Sequence, residues 1–319
     1  MTKLRIVVIL ILMQAVVFGQ FPGSKSLMHT QTGRTFEQGR LEIHSNMNFY
    51  TKLADFAGNP SLKPANFTAA NYWVVAGNLL LTYGILDNLD VTIAPRIYQD
   101  TNRIGEYNLP DDIFITVKGG SFDFANRRFY GALMLNTRIG TGDVHNYPFT
   151  EYASGAFEYG FMGAVSYYMD PYLPDRSLSA HLNLGWYNHN EAGKVMYSYP
   201  KSKVELKSQV NSQEFQYGLG VAFPVDLFEF RLELNGVSFI TQPDTMVYSR
   251  ENYTYITPSV RYQPYNWVSM DLGFDIRVSG DEEQTSGVPV LTKSLDLPNY
   301  MPWRVNLGLN LTILPLSSG

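Results

Sequence analysis

The chain has 319 residues, no cysteine and a formal net charge of −5. The missing cysteines exclude a disulfide-stapled scaffold, and the acidic balance argues against a nucleic-acid partner. Aromatic residues make up 14% of the chain, with 22 tyrosines, a surplus that suits membrane interfaces, where an apolar ring and a polar tip each find their solvent.

Lys3 and Arg5 precede an apolar run from Ile6 to Phe18 that only Gln14 interrupts. Val17 and Gly19 are small enough for the exit of a cleavage site before Gln20. A basic start, a short apolar run and a small-residue exit describe a secretory signal peptide. The run falls short of the roughly 20 residues of a spanning helix. Residues 1–19 are therefore expected to be removed, and residues 20–38 to form a periplasmic N-terminal segment. The barrel is expected over 39–314, with a tail at 315–319.

From Arg40 to Leu314 the chain repeats one pattern, apolar and polar residues in alternation. In the last segment Trp303, Val305, Leu307, Leu309, Leu311 and Ile313 share one face, and Arg304, Asn306, Gly308, Asn310 and Thr312 the other. Side chains of a strand point to opposite faces with period 2, so each segment reads as a two-faced β-strand. The pattern predicts about twelve strands: 39–50, 71–85, 88–98, 111–122, 128–140, 155–169, 177–190, 213–224, 228–240, 253–263, 267–279 and 303–314. Short connections fall around Asp87, Ala125, Leu173, Val225 and Pro264. Long ones fall at 51–70, 99–110, 141–154, 191–212, 241–252 and 280–300. Such alternation, with an even strand number, is the order of an antiparallel barrel that crosses an outer membrane.

A soluble sandwich would also give period 2. Three features favour lipid. The strands reach the roughly 9–11 residues that a tilted spanning strand needs. Aromatics bracket the apolar faces: Trp73 and Tyr83, Phe157 and Tyr167, with Trp186, Trp303, Phe223 and Phe228 at strand ends. Glycines lie on the polar face at 160, 185, 218, 220, 273 and 308, where a crowded interior needs room for larger neighbours. Pro95 and Pro258 fall inside strands and are expected at bulges, because proline cannot donate to the ladder.

The chain resembles the bacterial outer-membrane β-barrels, porin-like or transporter-like. The stretch from Tyr83 to Val91 resembles a turn common in that group. The last strand, with Asn306, Gly308, Leu311 and Ile313, resembles the insertion signal read by the barrel assembly machinery. It departs by running on through Pro315 to Gly319 rather than ending on an aromatic residue. The resemblance implies a bacterial (Gram-negative) outer-membrane location, with outer-membrane lipid and the assembly machinery as partners. It names no solute.

Sending the apolar faces outward sends a charged set inward. The expected pore-lining residues are Arg96, Arg128, Arg138, Glu158, Glu229, Arg231, Glu233, Asp271, Asp275 and Arg277; Arg40, Glu42, Asp90, Lys118, Glu214, Arg261 and Arg304 also fall on that face. Charges of both signs suit a wet or mutually paired interior, since a cation at mid-membrane costs roughly 2–4 kcal/mol against lipid. One reading is a pore that passes small solutes. The competing one is a barrel filled by its own salt bridges, since about eight strands leave a filled interior and 16–18 an open one. A non-conducting surface or scaffold barrel working through its loops, such as an adhesin or a secretion-complex component, is a further alternative, and a membrane hydrolase the last.

No catalytic, cofactor or metal residue is assigned. Ser179, His181 and Asn183 alternate along one strand, but same-face neighbours stand roughly 6–7 Å apart by the rise per residue. That spacing predicts polar lining rather than a direct relay. His189, Asn190 and Glu191 lack a recognisable metal-ligand spacing. Asp281, Glu282 and Glu283 read as a solvated charge run. Asn66 and Asn252 begin glycosylation-like triplets, which carry no weight in a bacterial setting.

Overall fold

A computed structural model describes residues 24–54, 70–101, 111–141, 154–199, 204–244, 252–280 and 301–313. The leader at 1–19, most of the long connections other than 191–212, and the tail at 315–319 lie outside the described residues, as do Asn66 and the acidic run at 281–283.

The alternating segments fold into strands that close on themselves. β1 (Leu41–Ala54), β2 (Ala70–Leu86), β3 (Leu89–Thr101), β4 (Asp111–Phe124), β5 (Phe129–Ile139), β6 (Phe157–Tyr168) and β7 (Ser179–Asn188) follow in order. β8 (Val195–Tyr199) and β9 (Val204–Lys207) form a separate hairpin inside the expected 191–212 loop. β10 (Gln213–Val225), β11 (Phe228–Thr241), β12 (Tyr253–Tyr265), β13 (Val268–Gly280) and β14 (Trp303–Ile313) complete the wall. β1 pairs with β14 from Leu41↔Ile313 to Phe49↔Val305. The twelve barrel strands are all antiparallel to their neighbours. Closure leaves no unpaired edge, which is what an apolar surrounding demands of backbone N–H and C=O groups.

The apolar rows face out and do not meet in a core. Along β6 the exposure alternates, with Phe157, Phe161 and Val165 exposed and Glu158, Met162 and Ser166 buried. Leu133 is 72% exposed. At the short-turn end the outer surface carries stacked rings, Tyr265 on Trp267 at 5.7 Å and Phe124 on Phe129 at 5.3 Å. Trp303 and Phe157 mark the opposite rim, both exposed.

The two prolines behave differently. Pro95 sits at a register shift between β3 and β4, as expected of a residue without an N–H. Pro258 pairs with Leu232 of β11, and the β12–β13 ladder keeps its register past it, from Ile256↔Ile276 to Ser259↔Gly273. The expected bulge at Pro258 is absent, because the missing donor falls in a stretch where β12 simply makes no bridge to β13. The turn expected around Pro264 is at Asn266–Trp267, and Pro264 itself belongs to β12.

Residues 24–38 make the largest difference from the sequence reading. The sequence reading sets 20–38 apart from the barrel as a periplasmic N-terminal segment. Residues 24–38 lie inside the barrel, against the inward faces of β3, β4, β6, β7, β11 and β13. The segment is too polar to bury against lipid, and the wall offers it hydrogen-bonding partners all round.

Candidate functional site in the barrel lumen

The inward charges are paired, because an isolated ion in a low-dielectric interior costs several kcal/mol. In one cluster Asp271 accepts from Arg231 Nη1 at 3.0 Å, from Arg261 Nε at 2.8 Å and Nη2 at 3.0 Å, and from Asn310 Nδ2 at 2.7 Å. Glu229 takes the other side of Arg231. In a second, Asp275 accepts from Arg304 and from Thr257 Oγ1 at 2.8 Å. A third lies near the long-loop rim. There Arg138 meets Asp112 and stands 3.8 Å from Glu158, which also accepts from Ser154 Oγ at 2.6 Å.

His189, just beyond β7, sits between Glu158 at 2.9 Å and Glu214 at 3.5 Å. Burial pulls its pKa down, but the Glu158 and Glu214 carboxylates outweigh that and hold it at about 10. The ring is therefore a cation at neutral pH. Glu191 turns away, accepting the Ser212 N–H at 2.9 Å.

Of the expected lining set, Arg96, Arg138, Glu158, Arg231, Glu233, Asp271 and Asp275 are buried on the inner wall. Glu229 and Arg277 are half-buried there. Arg128 is the exception. β5 begins one residue later, at Phe129, so Arg128 stays exposed in the turn and donates to the Met169 carbonyl.

Residues 24–38 cross the space these walls enclose. Ser24 bonds to Asp90 of β3, and its carbonyl accepts from Lys118 of β4 at 2.8 Å. The chain then reaches β11, where the Glu233 carboxylate accepts three backbone N–H groups, those of Met28 and His29 at 2.9 Å and of Thr30 at 2.6 Å. His29 Nε2 lies 2.6 Å from Asp275. On the way back Asn183 of β7 clamps one peptide from both sides: Gln31 N–H donates to Oδ1 at 2.6 Å and Nδ2 donates to the Gln31 carbonyl at 2.7 Å. Gly33 N–H donates to Ser166 Oγ of β6, and the Gly33 carbonyl accepts from Ser121 N–H at a register break in β4. Phe36 N–H returns to Asp90 at 3.1 Å.

Charge and shape complete the seat. Arg34 pairs with Asp175 in the connection after β6, and its guanidinium stands 5.6 Å from the ring centres of Tyr130 and Tyr168. Partial desolvation beside the segment works against ionisation, but the Lys25 and Arg34 charges hold the largely exposed Asp175 carboxyl below its usual range. The inward glycines make the room. A Cβ on Gly220 would lie 2.6 Å from Leu27 Cδ1, and one on Gly273 2.9 Å from Met28 Cε.

The structure corrects the expectation for Ser179 and His181. Ser179 Oγ reaches His181 Nε2 at 3.0 Å, and Ser166 Oγ reaches Nδ1 at 2.7 Å. Rotation about the side-chain bonds closes a gap that backbone rise leaves open. The orienting partner is a hydroxyl, already engaged by the Gly33 N–H, rather than a carboxylate. Asn183 takes no part, being bound to Gln31.

No protein-family model matches the chain, and no curated protein matches it in sequence. Among solved structures it is similar to an outer membrane channel from Pseudomonas putida F1, at 9% identity and a TM-score of 0.53, covering 88% of this chain and 98% of that one. It is also similar to the NanC porin, at 9% identity and a TM-score of 0.49, covering 85% and 98%. At 9% identity the likeness to the Pseudomonas putida channel concerns the fold alone: a closed antiparallel β-barrel of twelve strands.

Proposed function

We propose that the chain is a passive outer-membrane channel for small solutes whose lumen is closed by its own residues 24–38. The observation that carries this reading is how the segment is held. Most of its contacts are hydrogen bonds or ion pairs to a polar wall, and water can replace such partners when the segment moves. A structural filler would gain more from apolar packing, since replacing buried ion pairs by apolar groups is often stabilising. The apolar outer face supports placement in outer-membrane lipid of a Gram-negative cell, and β14 is the strand the barrel assembly machinery would read. The reading is non-enzymatic.

Planar-bilayer recording of the processed protein beside a variant lacking residues 24–38 tests it. The variant is expected to conduct steadily and the intact chain to rest closed with rare openings. If neither conducts at any voltage, the channel reading falls and a filled scaffold barrel takes its place.

A further inference from the structure

The lipid-facing wall carries an apolar groove over β4 to β7. It encloses about 340 Å³, near the lower end of the roughly 300–1,000 Å³ of ligand pockets. Phe122, Leu133, Val165 and Leu184, all exposed on the outer face, form its sides, and Gly131 and Gly163 its floor. The register sets the two glycines on a diagonal. Gly131 lies between Phe122 and Val165, and Gly163 between Leu133 and Leu184.

Packing among the described residues does not require glycine at either position. A Cβ on either would meet no atom closer than 3.9 Å. The inward Gly220 and Gly273 differ, since a Cβ there would collide with the N-terminal segment. Glycine inside a strand costs backbone entropy and offers no side chain to pack. A leucine at either place would extend the apolar face, so the open space serves something outside the chain.

At its short-turn end the groove meets cations. Gly131 stands three residues along the chain from Arg128, a span of about 10 Å by the rise of a strand. Arg127 and Arg128 are exposed in the β4–β5 turn, and Arg176 is exposed in the β6–β7 connection. Arg128 Nη1 donates to the Met169 carbonyl at 3.4 Å, which ties the two connections together. The carboxylates nearby are engaged. Asp175 pairs with Lys25 and Arg34, Asp170 accepts the Tyr172 N–H at 2.8 Å, and Asp123 stands 3.8 Å from Arg127. Among the described residues Arg128 and Arg176 have no carboxylate partner.

An apolar slot in a lipid-facing wall that ends at such guanidiniums fits an acyl chain with a negative head, since guanidinium matches phosphate oxygens in charge and shape. A zwitterionic head would bring a further cation among the arginines. A second copy of the chain fits less well. Two barrels in one membrane stand the same way up, so contact across the groove would set Arg127 and Arg128 of each at the level of the same residues of the other, where like charges repel.

We propose that this groove binds an anionic phospholipid, with its phosphate against Arg128 and an acyl chain across Gly131 and Gly163. The proposal rests on the apolar face meeting lipid and not on conduction through the lumen.

Native mass spectrometry of the folded barrel in detergent, with added phosphatidylglycerol or phosphatidylcholine of the same chains, tests it. A single phosphatidylglycerol is expected to stay on each barrel, bound severalfold more tightly than phosphatidylcholine. Gly131→Leu combined with Gly163→Leu fills the groove and is expected to abolish retention. Neither backbone position strains a side chain, and heat-dependent gel mobility verifies the fold. Arg128→Ala is expected to bring phosphatidylglycerol down to the phosphatidylcholine level. No retained lipid on the unaltered barrel overturns the site. Equal binding of the two lipids, or no effect of Arg128→Ala, overturns the anionic class. Undiminished retention in the folded double variant overturns the location. A dimer that the double variant dissolves gives the groove to a second copy and overturns the lipid. A barrel that retains phosphatidylglycerol but never conducts leaves the site standing and removes the channel; one that conducts without retaining it does the reverse.

Discussion

Glu233 accepts the backbone N–H of Thr30 at 2.6 Å across 203 residues of sequence. The same carboxylate takes the N–H groups of Met28 and His29, so one side chain on β11 fixes three consecutive peptides of the N-terminal segment. Hydrogen bonds to a charged partner are worth about 1.5–3 kcal/mol each. Glu233→Gln keeps the shape but loses the charge and replaces one acceptor by a donor. Since about 1.4 kcal/mol is tenfold in an equilibrium, the variant is expected to release the segment at least tenfold more often. Trypsin cleavage at Lys25 and Arg34, timed against the unaltered barrel, measures this. An unchanged rate would show that Glu233 does not hold the segment.

Gly33 offers a test from the other partner. A Cβ there would lie 2.1 Å from the Tyr130 carbonyl oxygen and 2.5 Å from its carbon. Backbone of a barrel strand cannot yield as a side chain can, so Gly33→Ala is expected to unseat the segment while the wall keeps its stability. Conductance should rise and heat-dependent gel mobility should stay the same. A closed lumen in Gly33→Ala would mean that the segment does not lie against β5.

The outward rows predict the cost of a charge. Leu133 sits near the middle of β5 and is largely exposed on the outer face. Leu133→Arg is expected to destabilise the barrel by about 2–4 kcal/mol in a bilayer. In water an exposed substitution of this kind falls within about 0.5 kcal/mol. Unfolding by denaturant in lipid vesicles separates the two. A near-neutral result in lipid would remove the membrane reading of this face.

His189 gives the pH dependence. Its pKa rises from 6.5 to about 10 in the folded chain, burial being outweighed by Glu158 and Glu214. A raised pKa means the folded state binds the proton more tightly, so the stabilisation is complete below pH 6.5. It declines as pH rises from there and is gone above about 10. Thermal unfolding measured from pH 6 to 11 is expected to show this fall, and His189→Asn is expected to flatten it. A wild-type profile that rises over that interval would contradict the carboxylate pairing.

How much of this was legible in the chain depends on the range of the interaction. Period-2 alternation is written in neighbouring residues, and connection length is written between them. Strand number, faces and the inward placement of Arg231 and Asp271 therefore followed from the sequence alone. Arg128 was misplaced by the one residue that separates a turn from a strand. The β8–β9 hairpin was missed because it is short and lies within a polar loop. The seat of residues 24–38 depended on contacts with Asp90, Asn183, Glu233 and Asp275, as far as 246 residues away. No local pattern pairs a short polar stretch with acceptors on distant strands. Only closure of the sheet brings those acceptors around one axis, and only then does the segment have a place to lie.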